Sequence, residues 1–151
     1  GWVRVQGLWN ITSVTKGEGA GIEVGLSPAN LVNFEGKGNY SGPEFIWFNN
    51  IGVTALKFLN SDKLGKQYQN DLLVGDYHQG NIYHFELNQN RTGLVLSGPL
   101  EDRIARFSYE FEGIKFGEGF GRVTDLQVGP DGYLYIVSYG QGKIYRILSA
   151  A

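Results

Sequence analysis

Residues 122–147, RVTDLQVGPDGYLYIVSYGQGKIYRI, leave the chain few ways to fold. They read as three consecutive antiparallel strands with almost no residue left over. Val123, Leu126 and Val128 make the first strand. Gly129-Pro130-Asp131-Gly132 then turns the chain: Pro fixes φ, and Asp-Gly supplies a residue tolerant of φ > 0. Asp131 reads here as a turn-forming residue whose carboxylate serves its own backbone. Residues 133–137 (YLYIV) are nearly continuous in apolar side chains, as expected of a strand covered on both faces. Gln141-Gly142 closes a second tight hairpin into residues 143–147, KIYRI.

The same unit occurs earlier in the chain. VTALKF at 53–58 answers to VTDLQV at 123–128, 70 positions on, and LLVGDYHQGNIYHFEL at 72–87 answers to LYIVSYGQGKIYRIL, 62 positions on. Tyr-x-Gln-Gly-x-Ile-Tyr carries the hairpin in both copies. The difference of spacing is absorbed by the polar run 60–70, which stands in place of Pro-Asp-Gly. Repeated three-stranded units of this kind predict an all-β chain of β-propeller blades, with copies at about 43–98 and 121–148 and strands of a third. Closed propellers need about four blades or more. The expectation is therefore the C-terminal part of a longer propeller, or a unit that self-associates; the first is preferred, because bare blade faces and unpaired edges invite aggregation.

The remaining segments are read in order. Residues 1–6 resemble the end of a strand, and the Gly-, Asn- and Ser-rich stretch 7–42 reads as long surface connections. Its glycines do not make a phosphate loop, because no strand leads in and no helix follows. PEFIWF at 43–48 is a short aromatic strand, and 93–97 is the expected outer strand of the first copy. Residues 100–120 mix helical and alternating spacing and are taken as a long connection ending in Gly117-Glu118-Gly119-Phe120-Gly121.

Composition narrows function further. A net charge of −2, with 19% charged residues, excludes an evident electrostatic nucleic-acid binder. No apolar run is long enough for a helical membrane span. Without cysteine there is no disulfide, thiolate nucleophile or zinc ribbon. Three Asn-x-Ser/Thr sequons, at Asn10, Asn39 and Asn90, exceed what composition predicts and lean towards an exported protein.

Few residues suggest chemistry. If Gln79-Gly80 is a two-residue turn, His78 pairs with Asn81 and His84 with Gly75, which puts the imidazoles on opposite faces and speaks against a shared metal. Asp62, Asp71 and Asp76 lack calcium-loop spacing and are expected to be solvated. Arg122 precedes an inner strand, where propeller side chains point at the central channel. It either closes a salt bridge at the blade end or forks onto a carboxylate or quinone oxygen.

These motifs resemble a known family. GRVTDLQVGPDGYLYIVSYGQGKIYRI is similar to the last blade of the soluble quinoprotein sugar dehydrogenases, the glucose/sorbosone dehydrogenase family, where G-R-x-R-D-x-x-x-G-P-D-G-x-L-Y leads to G-x-I-x-R. PEFIWFNNIGVTALKFL resembles its P-x-x-x-W and following loop, YQNDLLVGDYHQGNIYHFEL its strand pair, and GWVRVQG its G-W-P-x-x-x-G. The resemblance implies an exported six-bladed propeller binding pyrroloquinoline quinone (PQQ) and calcium over the channel. In that family a His base takes a sugar hydroxyl proton while the quinone accepts hydride. Arg122 matches the first Arg of R-x-R-D and Asp125 its Asp. Thr124 stands at the second Arg, His78 at a quinone-contacting Lys, and Trp47 at the Trp before the cofactor-facing loop, whose Pro is here Val53.

Two cationic contacts are thus replaced. At roughly 1.5–3 kcal/mol each, their loss weakens cofactor binding by about two to four orders of magnitude. The family's catalytic His and calcium segment lie upstream of anything matched, so this chain alone is not expected to be a complete dehydrogenase. The competing expectation is a propeller that kept the fold and lost the chemistry, serving as a binding or scaffold module for glycan or protein.

Overall fold

The computed structural model describes residues 5–6, 21–22, 35–38 and 41–149. In chain order its strands are β1 (Val5–Gln6), β2 (Gly21–Ile22), β3 (Ile46–Trp47), β4 (Val53–Phe58), β5 (Leu72–Asp76), β6 (Ile82–Phe85), β7 (Ile104–Ala105), β8 (Lys115–Gly117), β9 (Val123–Val128), β10 (Leu134–Ser138) and β11 (Lys143–Ile147). The chain divides into two compact units, residues 1–50 with 102–107 and residues 51–101 with 108–151. The stretch 7–20 lies outside the described residues, as does most of 23–42.

The first unit contains two small sheets. β1 pairs antiparallel with β2, and β3 pairs parallel with β7. Ile46 donates to the Arg103 carbonyl and Phe48 to that of Ala105, both at 2.8 Å.

The second unit holds the two repeats as two propeller blades. One is a four-stranded sheet in the order β4-β5-β6-β8, the other a three-stranded sheet β9-β10-β11. All neighbours are antiparallel. The repeat extends to irregularities. In the first sheet Val53 pairs with Asp76 and Ala55 with Gly75, leaving Thr54 as an extra residue. In the second, Val123 pairs with Ser138 and Asp125 with Val137, leaving Thr124 extra. A β-bulge therefore stands at the equivalent place in both sheets.

Period-two alternation puts one side of each sheet into a shared core. Ala55, Leu59, Leu64, Leu73 and Ile82 from the first repeat cluster with Val123, Leu126, Leu134 and Ile136 from the second. Each fully buried Leu or Ile among them stabilises by roughly 1.5–3 kcal/mol. The inner strands are also latched by polar groups: Thr54 Oγ1 donates to the Val123 carbonyl at 2.6 Å, and Lys57 Nζ to Gln127 Oε1 at 3.0 Å. Gly75 is required by this closeness, since a Cβ there would stand 2.7 Å from Val123 Cγ1.

Several expectations need correction. Residues 93–97 contribute only an isolated bridge, Leu87 to Leu94. The fourth strand is β8, paired through Ile82–Gly117 and Tyr83–Lys115. The connection before it is neither a long helix nor plain loop: 3₁₀ turns at Gly98–Leu100 and Ser108–Ile114 flank β7. Phe111 on the second turn packs edge-on against the buried Tyr83, at 5.6 Å between ring centroids.

The hairpins are longer than a Gln-Gly turn. Asp76 N donates to the Asn81 carbonyl, and Ser138 pairs with Lys143, so each loop holds four residues, 77–80 and 139–142. His78 consequently sits in a turn rather than opposite Asn81, and His84 pairs with Leu73 rather than Gly75. Asp71 and Asp76 are buried, not solvated, because both accept structural hydrogen bonds.

Candidate functional site

Four segments of the second unit meet at one end of the paired blades: Ile51-Gly52 before β4, the turn 77–80, Arg122 before β9, and the turn 139–142. Backbone bonds fix them. Tyr77 N donates to the Gly52 carbonyl at 2.9 Å, His78 N to that of Ile51 at 3.1 Å, and Tyr139 N to that of Arg122 at 2.8 Å. Gly80 and Gly121 come so close that a Cβ on Gly80 would lie 2.2 Å from the Gly121 carbonyl oxygen.

The repeated tyrosines end side by side. Tyr77 and Tyr139 stack with centroids 6.5 Å apart and planes 26° apart. The Arg122 guanidinium carbon lies 5.4 Å from the centre of the Tyr77 ring, within cation–π range. His78 meets Tyr77 edge-on at 5.9 Å, and its Nε2 lies 3.3 Å from where a Gly52 Cβ would stand. The arrangement presents a guanidinium, an imidazole and a pair of aromatic faces from two adjacent blades. Arg122 is exposed and forms no ion pair among the described residues.

Beneath this surface lies Asp76, fully buried. Its Oδ1 accepts the His78 N–H at 2.7 Å and the Gln79 N–H at 3.1 Å, and the Tyr83 hydroxyl lies beside the carboxyl. Burial pushes its pKa up, and the two N–H groups, the His78 charge and the Tyr83 hydroxyl pull it partly back. The counterpart in the second blade is Ser138, also buried, with its Oγ unpartnered.

The sequence-predicted residues divide. His78 and Arg122 come together through Tyr77. Thr124 is the bulge residue, its hydroxyl 3.4 Å from the Val137 carbonyl of its own sheet. Asp125 is exposed and accepts from Leu126 N at 2.8 Å and Gln127 Nε2 at 3.2 Å. Trp47 belongs to the other unit, half-buried on β3, with Phe45 edge-on at 4.7 Å. Tyr77 and Tyr139 are not among the site residues the sequence suggests, and Asp76 is expected there only as a solvated carboxylate. The repeated Tyr-x-Gln-Gly was the signal for the tyrosines, since a repeat of whole blades places equivalent turns at the same end.

The other histidine is elsewhere. His84 Nε2 lies 2.9 Å from Asp71 Oδ2, with Tyr68 edge-on to the imidazole at 5.0 Å. No group of three or more His, Cys, Asp or Glu gathers for a metal ion among the described residues. Asp131 keeps its turn role, accepting Tyr133 N at 3.2 Å, and also accepts the Tyr135 hydroxyl at 2.9 Å and Arg146 Nε at 3.0 Å.

Comparison with known proteins agrees with these features. No curated protein and no solved structure matched the chain. The family model for glucose/sorbosone dehydrogenase matches residues 25–146, which take in all but the last residue of both blades. With that match over most of its length, and two antiparallel blades repeating down to their bulges, the chain belongs to the glucose/sorbosone dehydrogenase family.

Proposed function

We propose that these blades form part of an exported sugar dehydrogenase-like propeller that oxidises a sugar hydroxyl with PQQ as acceptor. The observation that carries this reading is Arg122, an exposed guanidinium without an ion pair among the described residues. It is backed by Tyr77 and shares the blade end with His78. PQQ is planar and anionic, so a forked cation beside stacked aromatic faces suits it. When bound, the quinone supplies the hydride-accepting chemistry of the reaction. Arg122 would hold a carboxylate of the group, Tyr77 would restrict the guanidinium to one side, and His78 would offer a second polar contact. Thr124 adds no charge, and its hydroxyl already faces a backbone carbonyl. Calcium is not assigned to any described residue, because their carboxylates do not cluster. The proton acceptor and the calcium ligands fall to the remaining blades. For export, Asn90 lies in an exposed turn, where a glycan would meet no packed surface.

Calorimetric titration of the complete protein with PQQ and calcium tests the reading. We expect saturable binding that Arg122→Ala weakens about tenfold or more, the worth of one charge-assisted contact. Absence of heat, together with absence of dye-linked sugar oxidation, would retire it. A second reading has its own support: Tyr139 is 68% exposed while stacked on Tyr77, a platform on which a sugar ring can lie. Selective retention on a glycan array without turnover would favour a binding module instead.

A further inference from the structure

We propose that Asn90 is an N-linked glycosylation site, carrying its oligosaccharide at the end of the first blade away from the candidate site. The modification is separate from the blade-end chemistry and rests on the reading of the protein as exported.

The acceptor motif is Asn90-Arg91-Thr92, an Asn-x-Thr sequon. The other two acceptors, Asn10 and Asn39, lie outside the described residues. Residues 87–94 form a short hairpin, closed by the Leu87–Leu94 bridge and by Asn88 N donating to the Gly93 carbonyl at 3.0 Å. Gln89, Asn90, Arg91 and Thr92 are all exposed at its tip.

Two asparagines share this tip and do different things. Asn88 holds the turn. Its carbonyl accepts Arg91 N at 2.8 Å, its Oδ1 accepts Thr92 N at 2.8 Å, and its Nδ2 donates to Thr92 Oγ1 at 3.1 Å. Arg91 anchors the turn to the rest of the blade: Nη1 donates to the Asn70 carbonyl at 2.7 Å, and the guanidinium lies over the Phe58 ring at 5.4 Å. Asn90 enters none of these contacts, so a sugar on its amide leaves the turn as it is.

The anchor also fixes where the glycan stands. Asn70 N donates to the Leu59 carbonyl at 2.7 Å, which places Asn70 and the turn tied to it at the C-terminal end of β4. The candidate site lies at the other end, where Ile51-Gly52 leads into β4. The six residues of β4, at about 3.3 Å each, separate the two ends by on the order of 20 Å. A glycan at Asn90 therefore leaves Arg122, Tyr77 and Tyr139 accessible. It adds polar bulk at the end of the blade where Phe58 is partly exposed.

The donor is an oligosaccharide linked to a lipid phosphate. A bond forms between Asn90 Nδ2 and sugar C1, the C1–O bond to the phosphate breaks, and the amide proton passes to the released phosphate. No electrons are gained or lost.

Mass spectrometry of the full chain, secreted by a host that performs this transfer, tests the site. The peptide containing residue 90 should carry a glycan, and amidase treatment should release it and leave Asp at that position. Asn90→Gln should lose this glycan with an unchanged midpoint in urea. Calorimetry with PQQ and calcium should give the same affinity before and after the glycan is removed. An unmodified Asn90 in secreted wild-type chain overturns the proposal, and a change in quinone affinity of about tenfold on trimming overturns its placement. Finding the protein in the cytoplasm of its own cells would sink the reading of export, and the proposal with it. If the chain binds no quinone, the enzymatic reading fails, while the mass spectra still decide what Asn90 carries.

Discussion

At the scale of single residues, the closeness of the two sheets is the most testable feature. Gly75 has no room for a methyl group, because Val123 Cγ1 occupies it. Gly75→Ala forces the inner strands apart and should cost about 1–3 kcal/mol, as overpacking does, read as a lower midpoint in urea without a changed slope. Asp131 offers a pH test. Partial desolvation pulls its pKa up, but the Tyr135 hydroxyl, the Tyr133 N–H and the Arg146 charge together outweigh it, and the carboxyl ends below its ordinary range. A folded pKa below the unfolded one means that this stabilisation is complete above the unfolded carboxylate range. It is then lost as pH falls through the folded value. Asp131→Asn should therefore destabilise at neutral pH and flatten the acid limb of the stability curve. Equal loss at pH 7 and at pH 2 would refute the assignment. The same contact holds the Tyr135 hydroxyl proton, pushing that phenol up.

At the scale of elements, the two bulges can be played against each other. Thr54 and Thr124 are equivalent bulge residues, yet only Thr54 reaches the neighbouring sheet, at 2.6 Å to the Val123 carbonyl. Thr124 has a 3.4 Å contact within its own sheet. Thr54→Val should cost about 1 kcal/mol and Thr124→Val clearly less, measured by thermal or denaturant unfolding of the pair. A larger loss at Thr124 would mean that the latch between sheets is not what the bulge provides. Elements were unevenly legible in the sequence. Strands β4, β5, β6, β9, β10 and β11 show themselves by apolar runs bounded by Gly, Pro and Asp, which are local signals. β8 does not, because three residues carry no periodicity. Its partner β6 lies some thirty residues earlier, and only packing selects it over residues 93–97.

For the molecule as a whole, the second unit has one closed interface and faces that remain open. Ile82 is completely buried against the second sheet, whereas its counterpart Ile144 is 70% exposed, and Leu56 and Phe58 are exposed on the far side of β4. The second sheet also has three strands where the first has four. We propose that further blades, or a second copy of the chain, cover these faces. The isolated chain should then self-associate, and Ile144→Lys should shift it towards monomer in sedimentation or light scattering. A monomer at every concentration would count against it. The two units are each compact, and the helices are all short 3₁₀ turns among the described residues.

From the sequence alone came the blades: their strands, their repeat, the Pro-Asp-Gly turn and the family they resemble. Those depend on neighbours along the chain, on φ limits at Pro and Gly, and on the two-residue period of a strand. Only tertiary structure decided which carboxylates are buried and which residues share the blade end. Asp76 reads as an ordinary surface acid until the turn folds over it and supplies two N–H donors. Tyr77, Arg122 and Tyr139 become a site only when two sheets stack. The fold follows from short-range preferences repeated, whereas the site depends on contacts between residues far apart in the chain.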